Sequence, residues 1–172
     1  MISGPAGTGK TTLGVAIAGS NPSIPVFKLN APEIVSGLSG QSEEKIRSIF
    51  KALRDQAPCV VLMDELDAIA GKRENAGKEM EVRIVAQLAA CLDDLDQTED
   101  RVVVIGITSR PENIDQGLRR AGRFEREICL TVPNETARID ILKKLTSKMR
   151  LRPEFDYEAL VKHTPGFVGA DI

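Results

Sequence analysis

Near the start of the chain, Gly4-Pro5-Ala6-Gly7-Thr8-Gly9-Lys10-Thr11 fits the pattern G-x-x-x-x-G-K-[ST]. Few short patterns restrict a fold so much. The glycines let successive backbone N–H groups turn inward around a polyphosphate, Lys10 can reach β- and γ-phosphate oxygens, and the Thr11 hydroxyl can sit on Mg²⁺. Thr12 belongs to the same candidate set. The expected ligand is a nucleoside triphosphate with magnesium.

At 172 residues and 42% hydrophobic content, the chain can bury a core of its own. Its formal net charge of -2 provides no basic surplus to draw it onto nucleic acid or an anionic membrane. With one Tyr and no Trp, base stacking is not its main business. No run of about 18 apolar residues is present, and Met1 stands too close to the loop for a secretory signal, so a soluble intracellular protein is expected. Cys59, Cys91 and Cys129 lack metal-ligand spacing and read as small buried hydrophobes. Lone His163 reads as a surface or packing residue. Asn134-Glu135-Thr136 is a glycosylation sequon without consequence inside the cell.

Short β-rich runs alternate with longer helical ones, the rhythm of a parallel sheet with crossover helices. Ile2-Ser3, Ile24 to Leu29, Cys59 to Met63, Val102 to Ile105 and Ile128 to Leu130 read as five strands. A helix is expected from Lys10 to about Gly19 with Leu13, Ala16 and Ile17 on one face. A second starts at Ser42, whose hydroxyl can cap it, and carries Ile46, Ile49, Phe50 and Leu53. Met80, Ile84, Leu88, Leu92 and Leu95 mark a third; Ile139, Leu142 and Leu145 mark a fourth after Pro133.

The third strand ends in Asp64-Glu65, which puts carboxylates at the carboxyl edge of a parallel sheet, where doubly wound folds bind ligands. Asp64 would hold Mg²⁺, directly or through water, and Glu65 would orient and deprotonate an attacking water. Thr108-Ser109 brings small hydroxyls to the same edge. The run Arg119-Arg120-Ala121-Gly122-Arg123-Phe124-Glu125-Arg126 is either a solvated face or a source of guanidinium for transition-state charge. The run alone leaves both open.

The segments GPAGTGKT, LMDELDAIAGKRE, GITSRPENIDQGLRRAGRFERE and PGFVGADI follow one another in order. Together they resemble the ATPase module of the AAA family. Within it, APEIVSGLSGQSEEKIRSIF, KEMEVRIVAQL and RAGRFEREICL most resemble the first ATPase domain of nuclear valosin-containing-protein-like ATPases. The resemblance implies an α/β phosphate-loop NTPase fold with a parallel five-stranded sheet flanked by helices. It divides the chain into a large subdomain, residues 1–133, and the beginning of a small helical lid, 134–172.

It also implies ATP and Mg²⁺ as cofactors, with Lys10 and Thr11 as phosphate and magnesium contacts, Asp64 at the metal and Glu65 as base. Arg120 and Arg123 match arginine fingers that reach a neighbouring subunit's ATP, hence a hexameric ring. Gly169 and Ala170 match lid residues near the adenine, and Ser36-Gly37-Leu38-Ser39-Gly40 matches the loop facing the central pore. The implied work is remodelling of protein or pre-ribosomal complexes during large-subunit maturation in the nucleus or nucleolus. Alternatives are a valosin-containing-protein-like segregase, with the cytoplasm as location, and a slowly hydrolysing structural module of a ring. A small-molecule kinase shares the phosphate loop but leaves the arginine run unexplained.

Several positions depart from the family pattern. Ser109 stands where the sensor asparagine is usual and has a shorter reach. Ala6 replaces a proline, Gln41 a glutamate and Val82 an arginine, while the pore-loop match carries Leu38 in place of an aromatic. The chain opens inside the first strand and stops at Ile172, where a lid helix should continue. A fragment of a longer, two-module protein is therefore expected, weakly active and not ring-forming alone.

Overall fold

A computed structural model describes residues 1–35, 41–70, 79–97, 101–150 and 155–172. Ser36 to Gly40, the match to a pore-facing loop, lies outside the described residues, as do Leu151, Arg152 and the side chain of Met80. Strands β1 (Ile2–Ser3), β2 (Val26–Asn30), β3 (Cys59–Asp64), β4 (Val102–Thr108) and β5 (Ile128–Cys129) form one sheet in the order β2-β3-β4-β1-β5. All of its pairings are parallel. The helices are α1 (Lys10–Ala18), α2 (Ala31–Val35), α3 (Gln41–Asp55), α4 (Glu79–Gln97), α5 (Glu135–Thr146) and α6 (Tyr157–Lys162). Among the described residues no helix is long and apolar enough to cross a membrane.

The apolar run of β3 is buried on both faces, as a central parallel strand requires. Cys59, Val61 and Met63 join the main core with Ile46, Phe50 and Leu53 of α3 and Ile84, Leu88, Leu92 and Leu95 of α4, while Ile49 packs at its margin. Leu62 turns the other way, toward α1. β2 starts two residues later than its apolar pattern suggests. The Pro25 carbonyl accepts the Val60 N–H at 3.0 Å, but the ring nitrogen has no hydrogen to extend the ladder.

Four expectations are corrected by packing. In α1 the buried positions are Lys10, Gly14 and Ala18, whereas Leu13 is half-buried and Ala16 and Ile17 are exposed. A Cβ on Gly14 would meet Ile107 Cδ1 at 3.1 Å and Leu62 Cδ2 at 3.5 Å. The helix lies so close to the sheet that only small residues fit beneath it. Ser42 sits inside the first turn of α3, buried and with no hydrogen-bond partner for its hydroxyl among the described residues, so it is not the cap.

In α5, Arg138 and Leu142 are buried, Ile139 is half-buried and Leu145 is 51% exposed. Arg138 donates to the carbonyls of Pro133 at 3.0 Å and Val161 at 3.4 Å, so it ties the entry of α5 to the end of α6. Asn134 caps α5 through the Ala137 N–H at 2.9 Å, a contact worth about 1 kcal/mol. Cys59 and Cys91 are buried, but Cys129 is exposed because β5 is an edge strand.

Candidate active site

β1 lies inside the sheet between β4 and β5, and the chain leaves it straight into the glycine-rich loop. Gly4, Gly7 and Gly9 have φ of 139°, 77° and 92°, a region that side chains disfavour. The Gly9 carbonyl accepts the Leu13 N–H at 2.8 Å, so the amides ahead of Leu13 point out of the helix end, where an anion is favoured. No side chain caps that end of α1. The Pro5 carbonyl accepts from both Thr8 Oγ1, at 2.9 Å, and Lys10 Nζ, at 2.8 Å, drawing the lysine across the loop. Lys10 is only 7% exposed. Burial pushes its ammonium below the usual lysine range, and Asp64 and then Asp67 partly restore it.

From β3, Asp64 meets the loop. Its Oδ2 accepts the Thr11 hydroxyl at 3.0 Å and lies 3.6 Å from Lys28 Nζ; its Oδ1 accepts the Glu65 N–H at 3.0 Å. Glu65 is exposed and holds φ 54°, the sole non-glycine positive φ among the described residues. Such a conformation costs roughly 1–2 kcal/mol and turns the chain sharply from β3 into the turn Leu66–Ala68.

Two clefts flank Lys10. One, of about 770 Å³, runs from Gly7, Thr8, Gly9, Lys10, Thr11 and Thr12 to apolar walls at Leu13, Ala16, Leu130 and Ile141, with Gly169 and Ala170 across from them. The other, of about 300 Å³, gathers Lys10, Asp64, Glu65, Asp67, Thr108 and Ser109. The segment from Val168 to Ala170 closes on the loop. The Ala170 N–H donates to the Gly7 carbonyl at 3.1 Å, and a Cβ on Gly7 would stand 2.7 Å from Val168 Cγ2. Gly4 lies beneath the loop against Leu130, and Pro5 and Ala6 are exposed on its crest.

The two arginines are not brought to this chain's own loop. Arg120 is exposed at the end of the turn Gln116–Arg119. Arg123 lines a separate cavity with Leu92, Asp96 and Phe124. It grips Asp93 of α4 through Nε–Oδ1 at 2.6 Å and Nη2–Oδ2 at 2.7 Å, and Nη1 donates to the Gly117 carbonyl. That bidentate bond holds the Asp93 carboxyl below the usual carboxylate range and raises Arg123.

Lys28, Asp93 and the walls Leu130 and Ile141 belong to no local motif that marks them as site residues. Leu130 reads in the sequence as the last residue of the fifth strand, and the structure places it just past β5.

A sequence model of the ATPase family associated with various cellular activities (AAA) matches residues 1–132. The chain belongs to that family. It is 53% identical to the mouse (Mus musculus) protein "Nuclear valosin-containing protein-like", over all of this chain and 20% of that protein. It is 49% identical to "Ribosome biogenesis ATPase RIX7" of Saccharomyces cerevisiae, over all of this chain and 21% of the relative. With "Cell division control protein 48 homolog C" of Arabidopsis thaliana it shares 47% identity, over all of this chain and 22% of that protein. The chain thus spans about a fifth of the length of these curated relatives.

Proposed function

We propose that this chain hydrolyses MgATP at the junction of the two clefts and that the whole protein uses the energy to remodel complexes during ribosome maturation. One observation carries the site: Thr11 bonds to Asp64 while Lys10, beside it, opens onto both clefts. In this reading the adenine lies among Leu13, Ala16, Leu130, Ile141, Gly169 and Ala170, and the phosphates lie on the amides from Gly7 to Thr12. Lys10 exchanges the Pro5 carbonyl for phosphate oxygens.

The Thr11 hydroxyl and the Asp64 carboxylate are hard oxygen donors on one spot, which suits Mg²⁺. The ion supplies charge neutralisation on the phosphates when bound. Glu65, exposed at the rim, orients a water and takes its proton. Ser109 hydrogen-bonds the terminal phosphate or that water from the opposite strand end.

Arg120 is exposed and away from its own loop, which supports its acting on a neighbour's nucleotide within a hexameric ring; Arg123 joins it there by giving up its bonds to Asp93 and the Gly117 carbonyl. Residues 134–172 are read as the start of the lid, with Arg138 holding its two helices together. The names of the mouse and yeast relatives support a nuclear setting and a pre-ribosomal substrate.

Glu65→Gln in the full-length protein, with its expected second module inactivated in both samples, tests the chemistry. The variant should bind a fluorescent ATP analogue within about threefold of wild type while phosphate release drops by at least about 100-fold. Equal, slow release from both proteins would point instead to a nucleotide-gated structural module.

A further inference from the structure

Thr108 closes β4 with 1% exposure. Its hydroxyl donates to Asp67 Oδ1 at 2.6 Å and accepts the Arg110 N–H at 3.0 Å, so both of its hydrogen-bonding roles are used. Asp67 belongs to the turn Leu66–Ala68, whose Ala68 N–H closes on the Glu65 carbonyl at 2.9 Å. Beyond the end of the β3–β4 pairing, at Met63 and Gly106, a short side-chain bond therefore links the segment that carries Glu65 to the strand end that carries Ser109. Those two residues face the same cleft, and both are exposed. Glu65 adds a strained backbone, which persists only where its surroundings over-determine it.

We infer that Asp67 and Thr108 form a positioning clamp that sets the distance between Glu65 and Ser109 across the phosphate-side cleft. The inference rests on the hydrolysis proposed above. Ser109 makes the clamp matter. Its side chain is short, so a small drift of the β4 end would take the hydroxyl out of hydrogen-bonding range, where a longer amide would still reach. An error of about 1 Å in placing a reacting group can cost about 100-fold in rate.

Thr108→Val keeps the shape and removes the hydroxyl, while Thr108→Ser keeps the hydroxyl. Steady-state kcat and KM of the full-length protein, with its expected second module inactivated, and equilibrium binding of a fluorescent ATP analogue are measured for both. Thr108→Val should lower kcat by about 10- to 100-fold with KM and analogue affinity within about twofold, and Thr108→Ser should stay within about threefold of wild type.

Should the valine variant fail to fold, the Asp67 pair carries the test. Asp67→Asn keeps an oxygen acceptor and should retain most of kcat, whereas Asp67→Leu should lose it. An unchanged kcat in Thr108→Val, an equal loss in Thr108→Ser, an equal loss in both Asp67 variants, or a loss confined to analogue affinity overturns the clamp. Absence of hydrolysis by the wild type would instead overturn the proposed function, and the clamp with it.

Discussion

Lys10→Ala is expected to weaken binding of a fluorescent ATP analogue by about 100-fold or more and to take hydrolysis to background. The ammonium is nearly enclosed, lies at the join of both clefts, and is held over the loop by a single carbonyl, that of Pro5. Exchanging that neutral partner for phosphate oxygens makes charge-assisted bonds worth roughly 1.5–3 kcal/mol each, so losing two of them costs about 3–6 kcal/mol. Burial that disfavours the free ammonium adds to the difference, because an anion relieves it. Affinity within threefold of wild type would mean that the loop does not hold the phosphates.

The second large effect is on stability. Gly4→Ala should destabilise the fold by about 3–5 kcal/mol in a denaturant titration. At φ 139° an alanine is strained, at roughly 1–3 kcal/mol. Its Cβ would also stand 2.1 Å from the Leu130 carbonyl oxygen, an overlap that the backbone must move to relieve. That movement disturbs the β1–β5 pairing, where the Ser3 carbonyl accepts the Leu130 N–H at 2.8 Å. Gly9→Ala is the control. It has φ 92° but nothing within 4 Å of an added Cβ, so strain alone remains, at about 1–2 kcal/mol. Equal small costs at both positions would refute the close β1–β5 packing beneath the loop.

The sequence is most legible where chemistry or periodicity is local. Gly4 to Thr11 carries its own geometry, and an apolar β3 ending in Asp64-Glu65 needs only the rule that parallel strands are buried on both faces. The stripe Ile84, Leu88, Leu92 and Leu95 packs as its spacing predicts. Legibility fails where the distance between elements decides. The spacing of Leu13, Ala16 and Ile17 marks an apolar face, yet α1 approaches the sheet through Gly14 and Ala18, leaving Leu13 and Ala16 to wall the larger cleft.

Arg138 is unreadable for another reason: a charged residue in the first turn of a helix gives no sign that two carbonyls will receive it. The pairs Thr108 with Asp67 and Arg123 with Asp93 join residues 41 and 30 positions apart. Side chains so distant meet only through the strand order, which no local pattern encodes.

In the function proposed above, this chain holds half of an ATP site and offers Arg120 and Arg123 to the next copy. Mixing two full-length variants tests it most directly. Lys10→Ala keeps its arginines but cannot hold nucleotide; Arg120→Ala holds nucleotide but lends its neighbour no Arg120. With the expected second module of the full-length protein inactivated in every sample, wild type included, each variant alone should be inactive. In random equal mixtures of a cyclic assembly, a site is complete when an Arg120→Ala chain sits beside a Lys10→Ala chain in the right order. Phosphate release should therefore recover to about a quarter of the wild-type rate. A mixture no more active than its components at any ratio would contradict a site shared between two chains.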